Sequence, residues 1–337
     1  MPDMPDNIMK HPANLPEQSG QDGSGVFGNI SDIHLCEDRP ENSMVFPGPR
    51  RVSPELMAHV GTLISRCRAF DKQDFMVTMN GEFFRGRHEI RAVDGGWYRL
   101  RRMPPRPPML DSLPTKLPAP LKRMLMSPRL SQGGLVYVVG APAQGKTTTA
   151  SATLVSRLQQ YGGFALTVED PPEMPLNGWH ENGYCSQTWV AGDGEADWAE
   201  SFRGVLRSQP AGTISILYVG EVRDTESAHA MLRAAANGFL VISTGFGTDI
   251  ISGLESLYHL AGAQSTWLTS FSGLLRLVVH QRIVNEQLVA SSLASLSGTT
   301  AVAAKIRTGN FNNLLTDIQF QSNQAMLGLD VFEDQAS

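Results

Sequence analysis

The residues best suited to chemistry form a glycine-rich segment that matches the pattern G-x-x-x-x-G-K-[ST]. Glycines at both ends of this pattern let the backbone turn tightly, so that its N–H groups can surround phosphate oxygens. Lys146 offers a positive charge to the β- and γ-phosphates, and the Thr147 hydroxyl is a ligand for Mg²⁺. The segment therefore predicts a phosphate-binding loop for ATP and Mg²⁺. The candidate nucleotide-binding residues are Gly140, Ala141, Pro142, Ala143, Gln144, Gly145, Lys146, Thr147 and Thr148.

Such a loop needs a strand before it and a helix after it. Residues 135–139 are a continuous apolar run, typical of a strand covered on both faces. Residues 146–160 predict a helix that stops at Gly162. These flanks favour the phosphate loop over the alternative, a glycine-rich turn with an accidental lysine.

The elements that follow alternate between strand and helix. Strands are predicted over residues 164–168, 214–219 and 239–243, and Asp224 can cap a helix between the last two. This alternation predicts a parallel α/β sheet with right-handed crossovers. After Asp249 the chain is expected to be mostly helical.

Two carboxylates follow predicted strands, where ligands of open α/β sheets bind. Glu169 comes after residues 164–168, and Glu221 comes after residues 214–219. ATP hydrolysis needs a carboxylate to orient water and to balance charge around Mg²⁺. A strand-end carboxylate can also be a solvated loop charge or a helix cap, but two of them beside a phosphate loop favour catalysis. We expect Glu169 to act on the attacking water and Glu221, with Thr147, on Mg²⁺.

Composition outlines the rest of the chain. Residues 1–28 are polar and rich in proline, which predicts a disordered tail. Residues 29–103 predict a small α+β domain, residues 104–120 a proline-rich linker, and residues 121–337 the ATPase domain.

Net charge, cysteine spacing and the lengths of apolar runs also limit the classes of function that the sequence fits. The net charge of −5 argues against a nucleic-acid-binding protein, and the three dispersed cysteines indicate neither a metal site nor a disulfide framework. The sequence contains no apolar run long enough to span a membrane and no signal peptide, so a soluble cytoplasmic protein is expected.

Several further motifs follow one another in the order typical of the secretion ATPase superfamily of GspE and PilT type. Residues 169–173, E-D-P-x-E, resemble its Asp box, and residues 220–224, G-E-V-R-D, resemble its atypical Walker B motif. Residues 238–244 are similar to the start of its His box. The segments S-D-I-H at 31–34 and L-R-x-M-P at 100–104 resemble the entry to its N-terminal domain and the exit from it. The resemblance covers the chain from about residue 30 onward.

The resemblance implies a fold and an assembly. It implies a RecA-like P-loop NTPase domain, preceded by a smaller, PAS-like α+β domain, in a homo-hexameric ring. In the family, arginines of the N-terminal domain reach the nucleotide phosphates, and Arg85 and Arg101 are the matching positions. A planar guanidinium suits that task because it can donate two parallel hydrogen bonds. The alternative for both arginines is a solvated strand face. The catalytic residues are then expected to be Glu169, Glu221, Lys146, Arg85 and Arg101.

The resemblance also implies partners. Rings of this superfamily power type II secretion, type IV pili, or type IV secretion and conjugation. The expected partners are inner-membrane platform or secretion-complex proteins, which would hold the ring at the inner face of the membrane, without direct contact to nucleic acid. The sequence lacks the four-cysteine zinc element of the type II branch and has a short region before Ser31. Both features favour a compact motor like those of pilus retraction, conjugation or Dot/Icm-like secretion.

Two departures from the family pattern leave other functions open. Phe239 and Phe246 stand where the His box has histidines, and phenylalanine can neither hydrogen-bond nor titrate. Pro142, Ala143 and Gln144 replace the usual Thr-Gly-Ser of the loop. The first alternative function is an ATP-binding structural or regulatory ring with weak hydrolysis. The second is a RecA-like nucleic-acid translocase, which the acidic balance and the Asp-box resemblance disfavour.

Overall fold

The computed structural model describes residues 26–90, 92–190, 195–262 and 265–332. It divides into two compact units, the first containing residues up to 75 together with 86–102, and the second containing residues 76–85 together with 103 onward. Of the predicted tail over residues 1–28, residues 1–25 lie outside the described part, and Phe27 is buried. The domain boundaries given above remain predictions. Within the described residues, each helix is too short or too polar to cross a membrane.

Six strands pair in one sheet, in the order β3-β2-β1-β6-β5-β4, and the part of β4 and β5 within residues 76–85 is counted with the second unit. Helix α1 begins after Ser53, whose side chain accepts a hydrogen bond from the N–H of Leu56. Its buried residues recur at helical spacing, as in a helix with one face toward a core. The elements are β1 (Asp32–Cys36), a 3₁₀ turn (Pro40–Asn42), β2 (Met44–Phe46), β3 (Arg50–Arg51), α1 (Pro54–Arg68), β4 (Asp74–Met79), β5 (Glu82–Glu89) and β6 (Trp97–Arg102).

An eight-stranded sheet forms the centre of the second unit. Its strands are β7 (Gly134–Val139), β8 (Gly163–Val168), β9 (Gly178–His180), β10 (Gly183–Ser186), β11 (Ser215–Val219), β12 (Leu240–Gly245), β13 (Leu275–Val284) and β14 (Gln287–Ala294). Their order is β14-β13-β7-β12-β11-β8-β10-β9. The six inner strands run parallel, and β9 and β14 run antiparallel to their neighbours. The predicted parallel sheet is therefore confirmed.

Helices cover both faces of this sheet. They are α2 (Ala119–Leu125), α3 (Lys146–Tyr161), α4 (Glu195–Arg207), α5 (Thr225–Ala236), α6 (Ile250–Leu260), α7 (Ser265–Leu274), α8 (Ala301–Arg307) and α9 (Leu315–Met326), with 3₁₀ turns at Pro128–Gln132 and Phe311–Leu314. Alternate residues of β7 enter different cores: Tyr137 packs on one face of the sheet and Val138 on the other. A strand buried on both faces is largely apolar, which explains its nearly continuous hydrophobic run.

After Asp249 the described chain is mostly helical, as predicted, but it also contains two strands that were not predicted. Strands β13 and β14 form an antiparallel hairpin there, and Asn285 and Glu286 turn the chain with positive φ angles of 49° and 61°. Asparagine tolerates this backbone well, and two such residues in succession are typical of a tight hairpin turn. The correction matters because β13 pairs with β7 and so lies beside the phosphate loop.

The position of Gly163 predicts how a substitution there would change the stability of this sheet. It opens β8 with φ +95°, and a Cβ built on it would lie 2.5 Å from the carbonyl oxygen of Ile214. Gly163→Ala is therefore expected to lower the free energy of unfolding by roughly 2–4 kcal/mol. The control is Gly204→Ala, in α4 with open space around it, which is expected to raise that free energy by about 1 kcal/mol. Urea denaturation compares the two variants, and equal stability of both would contradict the prediction.

Candidate nucleotide-binding site

The phosphate loop lies at the carboxyl end of the parallel strands. Gly140 directly follows β7, and α3 begins at Lys146, which confirms the predicted strand and helix around the loop. Ala143 and Gly145 have left-handed backbone, with φ +61° and +75°. Helix α3 is 16 residues long and presents its N-terminus at the loop. The unused N–H groups and the positive end of such a helix form a binding place for anions.

Lys146 and the threonines after it occupy the first turn of α3. Lys146 is only 9% exposed, and its Nζ donates a hydrogen bond to the carbonyl of Ala141 at 3.0 Å. Burial lowers the pKa of Lys146, while the negative charges of Glu221 and Glu173 act in the opposite direction. Thr147 and Thr148 are half-buried beside it. The Lys146 side chain is thus hydrogen-bonded to the phosphate loop, and the negative charges of two carboxylates act on it.

Glu169 is the most buried carboxylate of the site. It directly follows β8, is 2% exposed, and accepts a hydrogen bond at Oε1 from Nε2 of Gln187 at 2.8 Å. Burial raises its pKa to about 7, and hydrogen bonds from Gln187, Thr167 and the backbone of Glu173 offset part of that increase. A carboxyl group with this pKa can exchange a proton near neutrality, as a general base requires.

Gln187 is a residue that the sequence analysis missed. Besides Glu169, its Nε2 contacts the carbonyl of Met174 at 2.7 Å, and its Oε1 accepts from the N–H of Leu176 at 3.0 Å. These contacts fix the direction of the amide that holds Glu169. Gln187 follows β10, which pairs with β8 and was not predicted as a strand. No motif marks it, because only the pairing of these strands brings it to Glu169.

Glu221 stands at the end of the neighbouring strand, β11. A Cβ built on Gly220 would lie 3.4 Å from Cγ of Glu169, so the two strand ends are in contact. The Glu221 side chain is 35% exposed and accepts a hydrogen bond from Nε of Arg223 at 2.6 Å. Its charge also acts on Lys146. The structure therefore brings both predicted carboxylates to one edge of the sheet, one buried and one open.

The two predicted arginines have separate surroundings. Arg85 belongs with the second unit, and its Nη1 lies 3.7 Å from Oε1 of Glu173. Arg101 belongs to the first unit, where its Nε donates to Asp32 at 2.9 Å and its side chain is 71% exposed. Arg85 is therefore linked to a carboxylate whose charge acts on Lys146 and Glu169.

The two phenylalanines at the His-box positions also differ. Phe239 is fully buried in the core of the second unit, as expected for a packing residue. Phe246 follows β12 and is 55% exposed, close in sequence to Thr244, whose hydroxyl donates to the carbonyl of Gly220. Of the two substitutions, only the one at Phe246 leaves an aromatic side chain open to solvent.

Comparison with known proteins identifies relatives along most of the chain. Residues 100–312 match the family model described as type II/IV secretion system protein. The uncharacterized protein YggR of Escherichia coli K12 is 29% identical over 328 residues, covering 90% of this chain and 92% of the relative. The type II secretion system protein HxcR of Pseudomonas aeruginosa is 33% identical over 171 residues, covering 49% of this chain and only 33% of that protein.

Two solved structures are similar to this chain in fold. The chain is similar to the pilus retraction motor PilT with bound ADP, with a TM-score of 0.67 and 22% identity over 91% of this chain and 92% of that one. It is also similar to the ATPase DotB of Legionella pneumophila, with a TM-score of 0.58 and 21% identity over 88% and 84% of the two chains. The fold is an N-terminal domain followed by a RecA-like ATPase domain. With the family model matched across the phosphate loop and both strand-end carboxylates, the chain belongs to the type II/IV secretion system protein family, within the GspE/PilT secretion ATPase superfamily.

Proposed function

We propose that this protein is a Mg²⁺-dependent ATPase that works as a hexameric motor of a type IV pilus or of a type IV secretion or conjugation machine. The observation that carries the proposal is the buried Glu169, with a pKa of about 7, at the strand end beside the end that bears Glu221. A protein that only bound ATP would have no need of a carboxyl group tuned to accept a proton at neutral pH.

The residues present fit ATP and Mg²⁺. The left-handed turns and the α3 N-terminus supply donors for phosphate oxygens, and Lys146 can exchange its bond to Ala141 for one to the β- and γ-phosphates. Thr147 and the more exposed Glu221 are the oxygen donors for Mg²⁺, a cation that prefers oxygen ligands and retains several waters. Mg²⁺ would supply positive charge that offsets the negative charge on the phosphate oxygens.

Glu169 has a different task in this proposal. The Glu169 carboxylate is shielded from solvent and oriented by Gln187, so it can align a water molecule. It can then accept the proton of that water as the water attacks the γ-phosphate. A desolvated base is effective because its charge is not already satisfied by bulk water. The open carboxylate, Glu221, and the buried one, Glu169, thus divide the work between metal and water.

The assembly and its partners are part of the same proposal. The family resemblance supports a homo-hexameric ring in which Arg85 and Arg101 reach the phosphates. It also supports a cytoplasmic position at the inner face of the membrane, through platform or secretion-complex proteins. The compact branch is supported by the extent of the similarity: the match covers 92% of YggR and 92% of the PilT chain, but only 33% of HxcR.

One observation favours a second candidate, an ATP-binding ring with weak hydrolysis. Phe246 is 55% exposed at a place where the family has a histidine, so a polar contact there is missing. Steady-state phosphate release decides between the candidates, because a motor turns over continuously and a structural ring holds its nucleotide.

Lys146 provides the first test of the phosphate loop. Lys146→Ala is expected to reduce ATP hydrolysis roughly 100- to 1,000-fold, because the loop loses the charge that the β- and γ-phosphates need. The control is Lys122→Ala, which removes an exposed ion pair with Asp111 far from the loop in sequence. Phosphate release measures both variants, and unchanged turnover in Lys146→Ala would rule out the proposed site.

Glu169 provides a test with a pH dependence. Glu169→Gln is expected to lower kcat by about 100-fold with little change in KM, since orienting water matters mainly in the transition state. In the wild type, kcat should rise with pH up to about pH 7 and then level off, because only the ionised carboxylate accepts a proton. Glu221→Gln should instead change the Mg²⁺ concentration required. A wild-type kcat that is flat between pH 5.5 and 8, the range roughly centred on that pKa, contradicts this role.

Stability offers a check on Glu169 without nucleotide. Its folded-state pKa is raised from the ordinary 4.5 to about 7, so the folded chain holds an extra proton between those values and loses stability as pH rises through them. Glu169→Gln should remove this decline, and the melting temperatures of the two proteins should differ more at pH 8 than at pH 4.

The ring is tested through Arg101. If each site uses arginines of a neighbouring subunit, wild-type turnover rises with protein concentration, and Arg101→Ala lowers it by about 100-fold without unfolding the chain. Arg50→Ala, on an exposed position of β3, is the matched control. Light scattering alongside phosphate release gives the mass of the active species, and a fully active monomer would exclude a shared site.

A further inference from the structure

The phosphate loop of this chain has a backbone that suits glycine but carries alanine. Ala143 has φ +61°, in the left-handed region, where a Cβ lies too close to the neighbouring carbonyl oxygen. This geometry disfavours alanine relative to glycine by about tenfold in population. Some other interaction must therefore hold the loop in this conformation.

That interaction comes from β13, through the residue next to Ala143. Nε2 of Gln281 donates to the backbone carbonyl of Gln144 at 2.7 Å. The backbone N–H of Ile283 donates to the side-chain Oε1 of Gln144 at 2.6 Å. Both the main chain and the side chain of Gln144 are thus bound to one strand.

The strand that makes these bonds is firmly placed. Gln281 is fully buried, and β13 is paired in parallel with β7, the strand that leads into the loop. A Cβ built on Gly140 would lie 2.5 Å from the carbonyl oxygen of Gln281, and one built on Gly145 would lie 3.3 Å from its Nε2. Gln281 therefore touches both glycines that bound the loop.

We propose that Gln144 and Gln281 are positioning residues that latch the phosphate loop to β13 and so hold Ala143 in the conformation that binds phosphate. The inference rests on the proposed function, because it assigns the latch to the same ATP site. A loop that is already shaped for its ligand binds more tightly, since ordering it costs nothing at the moment of binding. The hydrogen bonds of Gln144 and Gln281 thus stabilise a backbone conformation that glycine at position 143 would adopt without strain.

The test uses the full-length chain and the near-isosteric variant Gln144→Met, which loses the side-chain acceptor. Its affinity for ADP, measured by calorimetry, is expected to fall about fivefold, the effect of one ordinary hydrogen bond. Gln159→Met, at the far end of α3, is the matched control and should bind ADP like the wild type. Hydrogen exchange without nucleotide should show that the Ile283 amide is protected in the wild type and exchanges faster in Gln144→Met.

Ala143→Gly makes the test specific to the latch. In the Gln144→Met background it should restore most of the lost ADP affinity, and this gain should exceed the gain that Ala143→Gly gives in the otherwise wild-type chain, where the latch already holds the backbone. Unchanged ADP affinity in Gln144→Met, or no rescue by Ala143→Gly, overturns the inference alone. A wild type that protects Ile283 but does not bind ADP overturns the proposed function, and the inference with it.

Discussion

Parallel pairing on both sides of β7 is the constraint on which the rest of the site depends. Since β12 and β13 both run parallel to β7, the three strands end at one edge of the sheet. Every residue of β7 is buried, and none of them carries a charged side chain. Chemistry is confined to the places where strands stop, and the loop after β7, the carboxylates after β8 and β11, and the latch on β13 all lie there.

The charges at this edge are balanced unevenly. Lys146 is in the field of Glu221 and Glu173, whereas the charge on Glu169 is opposed by burial and by Glu173 itself. Arg85 lies beside Glu173 and partly offsets it. The result is a site with two cations, Lys146 and Arg85, two open carboxylates, Glu173 and Glu221, and one buried carboxyl group on the border of ionisation. The arrival of phosphates and a metal would redistribute all of these charges together.

Sequence reasoning reached the parts of this site that depend on local order along the chain. A glycine-rich loop between an apolar strand and a helix is visible in the sequence, and Glu169 and Glu221 are marked because they end apolar runs. The hairpin of β13 and β14 was missed because β13 follows α7 directly and mixes apolar residues with His280, Gln281 and Arg282. Gln187 and Gln281 could not be predicted, since each reaches its partner only through strand pairing.

The segment between Glu169 and Gln187 has the length and composition of a surface loop, and loops ordinarily accommodate insertions and deletions. Here β10 is in register with β8, with Gly183 opposite Gly163 and Ser186 opposite Leu166. One residue added between Gly183 and Gln187 would turn the following side chains to the opposite face of the sheet. The stretch from Gly183 to Gln187 therefore has a length that is bound, over evolution, to the position of a single carboxyl group, whereas exposed positions before it, such as Trp179, can diverge in sequence.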